Sequence, residues 1–260
     1  MSEGRWSDLT ARVGSAVVLA GLAGIELWLG GLWFESFIAI VTGLMVWELM
    51  RMIAPERSGP AIQMALLTGF AVLLAYHLPP LYSLPVLVAP ALVGAGQAGR
   101  YKGLYAVFAL WIAFAGLGFI WIREVKGLDW MLWLILVVVA TDMAGYFVGK
   151  LIGGPKFWPR VSPKKTWSGT AGGWVAAALV GGGFAFFAGL GAGLLILSVL
   201  ASMASQAGDF AESALKRRMG VKDSSNLIPG HGGFLDRFDG MMGAAVFVLL
   251  VGLLRALWGA

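Results

Sequence analysis

The sequence predicts an all-α, polytopic integral membrane protein with about nine transmembrane helices, and three observations support this fold class. The 260 residues are 59% hydrophobic and 13% charged, whereas soluble domains are about 45–50% apolar and about 25% charged. The apolar residues recur in segments of roughly 18–20 residues, which as helix would cross a hydrocarbon core of about 30 Å. The basic residues, in turn, alternate with these segments in a strongly one-sided way.

Nine apolar segments are candidate membrane spans. They cover residues 13–30, 32–50, 61–78, 82–98, 104–122, 129–149, 170–187, 189–207 and 240–258. Because the second span follows the first almost directly, we interpret the first as a retained anchor rather than a signal peptide. Glu26 and Glu48 lie near the ends of their spans, so we expect them to have structural roles or to reach the membrane interface.

The distribution of basic residues predicts the orientation. Of the 19 Lys and Arg residues, 16 precede the first span or follow spans two, four, six and eight. Since basic loops remain on the cytosolic side, we expect a cytosolic N-terminus and an outside C-terminus. The polar loops 150–169 and 208–239 would then face the cytosol. This rule also accounts for the net charge of +5, so no nucleic-acid partner is expected, and the lack of cysteine excludes disulfides and thiolate chemistry.

The end of the eighth span carries a polar helix face. Asp209, Glu212, Ser213 and Lys216 are spaced i, i+3, i+4 and i+7, so on a helix they point to one side. Asp209 lies close to the apolar segment, where an ionised carboxylate is costly unless it is paired or bound to a metal. This position predicts a functional aspartate.

A second charged cluster, KDSSNLIPGHGGFLDRFDG, covers residues 222–240 between two apolar segments. If helix has begun at its end, Asp236 and Asp239 lie one turn apart on the same face. Carboxylates without thiols and with few imidazoles suit Mg²⁺, which typically takes one or two carboxylates plus substrate phosphates. His231 in this loop has two open interpretations, a phosphate contact or a hydrogen bond that shapes the loop.

Two further features lie upstream. Lys164 and Lys165 follow Ser162 and Pro163 and place two positive charges in a rigid turn. They would serve either as phosphate ligands or as lipid-headgroup anchors. Asp142 lies inside the sixth span, and an intramembrane aspartate is by default a functional candidate.

Residues 213–239, SALKRRMGVKDSSNLIPGHGGFLDRFD, resemble the signature of phosphatidate cytidylyltransferases, also called CDP-diacylglycerol synthases. The positions that match are Ser213, Lys216, Arg217, Lys222, Asp223, Pro229, His231, Gly232, Gly233, Asp236, Arg237 and Asp239. The segments SPKKTWSG and DMAGYFVGKLIGG resemble two further motifs of that family, with departures at Gly145 and Ser168. The first 125 residues match the family only as hydrophobic spans.

The resemblance implies the reaction of CTP with phosphatidate to give CDP-diacylglycerol and pyrophosphate. We expect the protein to be integral to the cell (inner) membrane and its catalytic loops to lie on the cytosolic side. It implies N-terminal helices over 1–125 and a catalytic region over 126–260. The implied cofactor is Mg²⁺, with a second cation left open, and the partners are CTP, phosphatidic acid and membrane lipids, with a homodimer left open.

The resemblance also implies roles for individual residues. The expected metal ligands are Asp209, Asp236 and Asp239. The expected catalytic residues are Ser213, Lys216, Arg217, Lys222, Asp223, His231, Arg237 and Asp239. The expected substrate-binding residues are Ser162, Lys164, Lys165, Thr166 and Asp142.

Two other function classes fit parts of the pattern. A related CTP-dependent enzyme acting on a polyprenol or an ether lipid would keep the metal and phosphate residues but alter the lipid groove. A transporter would explain many spans and a buried aspartate, but it predicts charges and broken helices near the membrane midplane. Here the charges concentrate in the predicted cytosolic loops.

Overall fold

A computed structural model describes residues 3–258, with side chains described for Gly14, Ser15 and residues 17–258. The described residues form nine α-helices and one two-stranded antiparallel sheet, which confirms the all-α class. The helices are α1 Glu3–Leu29, α2 Gly31–Ile53, α3 Ser58–His77, α4 Pro80–Gln97, α5 Lys102–Trp121, α6 Leu128–Leu151, α7 Trp167–Phe187, α8 Leu194–Met219 and α9 Leu235–Leu257. The strands are β1 Lys156–Trp158 and β2 Ser162–Thr166.

Eight of these helices, α2 to α9, are long and apolar enough to cross a membrane, α5 being extended by a 3₁₀ turn before it and a π-helical turn after it. This confirms a polytopic membrane protein, whereas the predicted count of nine spans is not confirmed. The first predicted span, 13–30, falls in α1 and partly outside the described side chains. The apolar part of α1 that can be assessed, Val17–Leu29, is shorter than the other eight.

The polar segments differ in form from simple loops. The segment predicted as a loop over 208–239 is largely helical, because α8 continues to Met219 and α9 begins at Leu235. The loop proper is 220–234. In the other polar segment, β1 and β2 form a hairpin in which Trp158 pairs with Ser162 and Lys156 pairs with Thr166.

The chain divides into two compact units. Unit 1 comprises the residues up to Glu124 together with Arg218–Phe238, and unit 2 comprises Val125–Arg217 together with the residues from Asp239 onward. The whole loop between α8 and α9 therefore groups with the N-terminal helices. Each unit contains one of the two charged clusters described below.

The core of unit 1 is built on α2, which packs against α3 and α5. Helices α2 and α3 approach closely where glycines replace larger side chains. A Cβ on Gly43 would lie 2.8 Å from the Ala65 carbonyl oxygen, and one on Gly69 would lie 2.6 Å from that of Ala39. Because helix association in lipid depends on such close packing, these positions fix how α2 meets α3.

In unit 2, α6 packs along α7, and buried polar pairs connect α6 to α8. The Trp133 indole N–H donates to the Ser198 hydroxyl at 2.7 Å, and the Thr141 hydroxyl donates to Ser202 at 2.8 Å. Helices α8 and α9 meet at Gly208, where a Cβ would lie 2.5 Å from the Asp239 carbonyl oxygen. This crossing brings the segment that contains Asp209 next to Asp239, where the unit 2 part of α9 begins.

Candidate active site

Unit 2 contains a cavity of about 640 Å³ between the hairpin and helices α6, α7 and α8. This volume lies within the range of about 300–1,000 Å³ that is usual for small-molecule sites. Its charged lining residues are Lys150, Lys156, Lys164, Lys165, Asp142 and Asp209. Four cations and two carboxylates in one cavity are suited to a polyanionic ligand bound with a metal ion.

The hairpin directs Lys165 toward Asp209. The Lys165 ammonium forms an ion pair with Oδ2 of Asp209 and lies 4.7 Å from the ring centroid of Phe210. The Ser213 hydroxyl donates to Oδ1 of the same carboxylate at 3.3 Å. Both side chains of the ion pair are partly exposed, Lys165 at 31% and Asp209 at 23%, so the pair can be opened by an incoming ligand.

Thr166 connects the hairpin to α7. Its hydroxyl accepts a hydrogen bond from the Gly169 backbone N–H at 3.1 Å and so caps the N-terminus of the helix. Because Thr166 is also a cavity-lining residue, this cap fixes the end of the strand that carries Lys164 and Lys165. Ser162, at the other end of β2, pairs with Trp158 and does not line the cavity.

A second ion pair lies one turn further along α8. Lys216 and Glu212 are 2.7 Å apart, and both side chains are largely buried. Asp239 accepts a hydrogen bond from the Gly240 N–H at 2.7 Å and lies within electrostatic range of Asp142, Asp209 and Lys216. Unit 2 therefore gathers several carboxylates and cations around the α8–α9 crossing.

Unit 1 contains the other cluster, which we call the signature-loop cluster: Glu48, Ser224, Ser225 and Asp236 with the backbone of Gly233–Leu235. Oδ2 of Asp236 accepts three hydrogen bonds at 2.8 Å, from the Ser224 N–H, the Ser224 hydroxyl and the Gly233 N–H. Asp236 thereby joins both sides of the loop where it enters α9.

Glu48 holds the same loop from α2. Its Oε1 accepts from the Ser225 hydroxyl at 2.6 Å and the Phe234 N–H at 2.9 Å. Its Oε2 accepts from the Leu235 N–H at 2.7 Å and the Ser224 hydroxyl at 3.3 Å. Since the first N–H groups of a helix lack intrahelical partners, a buried carboxylate at this end satisfies them.

The paired glycines of the loop are required by these carboxylates. Gly232 has φ +82°, and a Cβ there would lie 2.7 Å from Oδ2 of Asp236. A Cβ on Gly233 would collide with Oε1 of Glu48 and with the Ser224 hydroxyl. Only glycine allows the loop to lie against both groups.

The histidine of the loop has a partner within unit 1. Nδ1 of His231 is 3.0 Å from the hydroxyl oxygen of Ser15, and the Ser15 hydroxyl donates to the Pro229 carbonyl at 3.0 Å. Of the two interpretations of His231, this contact favours the hydrogen bond that shapes the loop. The neighbouring charged residues Lys222, Asp223 and Arg237 are exposed.

Comparison with known proteins decides the family. A family model described as the cytidylyltransferase family matches residues 10–254. The chain belongs to the cytidylyltransferase family. Phosphatidate cytidylyltransferases of Brucella suis biovar 1 (strain 1330) and Brucella melitensis biotype 1 are each 37% identical over 261 residues, which cover 96% of this chain and 95% of each relative. One of Staphylococcus saprophyticus is 42% identical over 149 residues, covering 55% of this chain and 57% of the relative.

The resemblance inferred from the C-terminal motifs is thus confirmed, and it extends over nearly the whole chain. This cytidylyltransferase is a membrane-embedded nucleotidyl-transferring enzyme. Within unit 2 the structure brings together Asp142, Lys164, Lys165 and Asp209 around the cavity. Arg217 is exposed at the end of α8 and does not line that cavity.

The expected metal ligands are divided between the units of this cytidylyltransferase. Asp209 and Asp239 belong to unit 2, and Asp236 belongs to unit 1. Within the part of the chain that the structure describes, no three His, Asp or Glu side chains are close enough to hold a metal ion by themselves. The all-oxygen donors Asp209, Asp239 and Ser213 do fit Mg²⁺, which needs few protein ligands when substrate phosphates complete its shell.

Sequence reasoning missed several residues of these sites. Lys150 and Lys156 line the cavity together with Lys164 and Lys165. All four lie in the predicted polar loop 150–169, and its high content of basic residues was a signal that could have identified them. Gln206, one turn before Asp209, lines it too and is held by the Trp174 indole N–H at 2.9 Å. The contacts of Glu48 could not be inferred, because its partners are 176 or more residues away in sequence.

Proposed function

We propose that this enzyme transfers the cytidylyl group of CTP to phosphatidate, giving CDP-diacylglycerol and pyrophosphate. The observation that carries the proposal is the unit 2 cavity, which is lined by four lysines and two aspartates. The helices that form this cavity are apolar enough to cross a membrane. The cations suit a nucleoside triphosphate and the surrounding helices suit a lipid. The names of the relatives support the same pair of substrates.

The reaction needs no strong general base. A phosphomonoester has a second pKa of about 6, so the headgroup of phosphatidate is already largely a dianion at pH 7. One of its oxygens attacks the α-phosphorus of CTP, a new P–O bond forms, and the bond from the α-phosphorus to the bridging oxygen breaks. Pyrophosphate leaves with the electron pair of that bond.

The main barrier is electrostatic, because two polyanions must meet and a third must leave. In phosphoryl transfer, positioning and charge neutralisation supply most of the catalysis. We assign Lys164 and Lys165 to the triphosphate, with Lys150 and Lys156 supporting them from the same cavity. The signature residues Lys216, Arg217, Lys222 and Arg237 are assigned to the remaining phosphate charge.

Magnesium dependence is part of the proposal. Asp209 and Asp239 of unit 2 would hold the ion, with Ser213 orienting Asp209, and Asp236 stays a predicted ligand. When bound, Mg²⁺ would neutralise charge on the triphosphate and the leaving pyrophosphate. The ion pair between Lys165 and Asp209 indicates that this carboxylate accepts a cation, which supports the assignment.

We further propose that these residues act at the cytosolic face of the cell membrane. The asymmetry of 16 basic residues among 19 supports a cytosolic N-terminus and an outside C-terminus. Reporter fusions at residue 260 and within 155–165 test the orientation. A cytosolic reporter at residue 260 would contradict it.

The deciding experiment is pyrophosphate release by the purified protein. Release should require CTP, phosphatidate and Mg²⁺ together, and the lipid product should carry the cytidylyl label of CTP. Reactions with a polyprenyl phosphate or an ether lipid in place of phosphatidate serve as controls for lipid class. No pyrophosphate with phosphatidate, but release with another lipid phosphate, would assign the enzyme to a different lipid.

A further inference from the structure

Glu48 lies in α2, far in sequence from every motif of the family signature. Its side chain contacts the loop 220–234 between α8 and α9, which we call the signature loop. The residue is 0% exposed. Its two oxygens accept four hydrogen bonds, from the hydroxyls of Ser224 and Ser225 and from the backbone N–H groups of Phe234 and Leu235. All four donors belong to the loop or to the first residue of α9.

We propose that Glu48 is a positioning residue for cytidylyl transfer, which anchors the signature loop to α2 and fixes the start of α9. The expected effect on catalysis rests on the proposed function. The contacts between Glu48 and the loop do not depend on the identity of the substrate. Glu48 does not line the unit 2 cavity. It acts through the loop that carries Lys222 and Asp223 and that leads into Asp236 at the start of α9.

The geometry requires a carboxylate. Four donors converge on two oxygens, and each oxygen receives one hydroxyl and one backbone N–H. A glutamine would keep one acceptor oxygen and would turn an NH₂ group toward the donors at the other, so at least one backbone N–H would lose its side-chain acceptor, while Ser224 would still donate to Asp236. A neutral side chain would also lose the favourable interaction of an anion with the N-terminus of α9.

The loop is built around the Glu48 carboxylate. A change at this residue would therefore alter the loop itself and not only the packing of the core. Gly233 has no room for a Cβ because Oε1 of Glu48 and the Ser224 hydroxyl occupy that space. The single O–H of Ser224 is shared between Oδ2 of Asp236 at 2.8 Å and Oε2 of Glu48 at 3.3 Å. A change at Glu48 would therefore be transmitted directly to a signature aspartate.

The same helix offers a matched control. Glu35, near the other end of α2, is also buried, but its partner is Nε2 of His77 at 2.7 Å rather than the signature loop. Glu35→Gln makes the same chemical change in the same helix. We expect Glu48→Gln to lower kcat about 10- to 100-fold, the scale of an active-site misplacement near 1 Å, and Glu35→Gln to leave kcat near wild type.

Two further measurements distinguish positioning from a general loss of packing. Hydrogen–deuterium exchange of peptides covering 223–236 should be faster in Glu48→Gln and unchanged in Glu35→Gln. In a double-mutant cycle, Ser225→Ala should lower kcat on its own but add little to Glu48→Gln, because both remove the same contact. Ser225→Ala also serves as the test if Glu48→Gln fails to insert.

The outcomes are distinct. A folded Glu48→Gln enzyme with wild-type kcat and unchanged exchange over 223–236 would overturn the positioning role. Fully additive effects of Glu48→Gln and Ser225→Ala would do the same. A wild-type enzyme that releases no pyrophosphate from CTP and phosphatidate would overturn the proposed function, and faster exchange in Glu48→Gln would still support the loop anchor.

Discussion

The two charged clusters use carboxylates in opposite ways. In the signature-loop cluster of unit 1, Glu48 and Asp236 accept hydrogen bonds from serine hydroxyls and backbone N–H groups. In unit 2, Asp209 is paired with the ammonium of Lys165, and Glu212 with that of Lys216. The first arrangement fixes a backbone shape, and the second balances charge in and beside a cavity.

This difference assigns separate roles to the residues of the two clusters. Gly232, Gly233 and Asp236 take part in building the loop, since their positions are explained by contacts inside unit 1. Asp209 and Lys165 form a partly exposed pair on the cavity wall, which a phosphate or a metal ion can open.

The largest expected effect is on the unit 2 carboxylates. Asp209→Asn and Asp239→Asn should each lower Mg²⁺-dependent turnover by about 10³-fold or more, because an amide lacks the charge that a hard cation requires. The double mutant should be scarcely worse than either single mutant. Asp129→Asn, an exposed aspartate at the start of α6, is the matched control. Near-normal turnover in either single mutant would remove that residue from the metal site.

The next effect concerns the lysine pair of the hairpin. Lys164→Ala combined with Lys165→Ala should lower kcat/KM for CTP about 10²-fold, the scale of a lost electrostatic donor, with a smaller effect on phosphatidate. Arg160→Ala, on the turn of the same hairpin but not in the cavity wall, should behave like wild type. Unchanged CTP kinetics in the double mutant would reassign the pair as headgroup anchors.

Gly233→Ala tests the unit 1 side of the comparison. The added methyl group would collide with Glu48 and Ser224, and overpacking of this kind costs about 1–3 kcal/mol. We expect a lower apparent Tm and reduced activity. Gly103→Ala in α5, where a Cβ meets no atom within 4 Å, is the control. An altered Mg²⁺ requirement in Gly233→Ala would mean that the loop also acts on the metal.

The smallest effect is expected at Thr166. Thr166→Ala removes the hydroxyl that caps α7 and should cost about 1 kcal/mol, or an apparent Tm decrease of about 2–4 °C. Thr166→Ser keeps the cap and should restore stability. A large loss of CTP use in a Thr166→Ser enzyme of normal stability would instead indicate that the methyl group contacts the ligand.

The sequence was informative where charge and spacing act locally. The shared face of Asp209, Ser213 and Lys216 follows from helical periodicity, and α8 does place Asp209 within reach of Ser213. The apolar span was predicted to end at residue 207, where hydropathy falls, and the helix that contains it continues through good helix formers to Met219.

Other features depend on contacts between distant segments. The hairpin over Lys156–Thr166 carries no alternating apolar pattern, and it is held by its ends and by aromatic packing such as Phe157 against Phe210, with ring centroids 4.7 Å apart. The role of Glu48 depends on donors from the opposite end of the chain. Neither type of contact leaves a periodic signal in the sequence.

The separation between Glu48 and its partners also has a consequence for biosynthesis. Ser224 follows Glu48 by 176 residues, so at translation rates of about 5–20 residues per second the glutamate is made roughly 10–35 s before the loop that will bind it. During this interval α2 is in place with an acidic side chain whose native donors do not yet exist, a costly state within a bilayer. A nascent chain that stops before Ser224 would leave this carboxyl group without any of its four native donors.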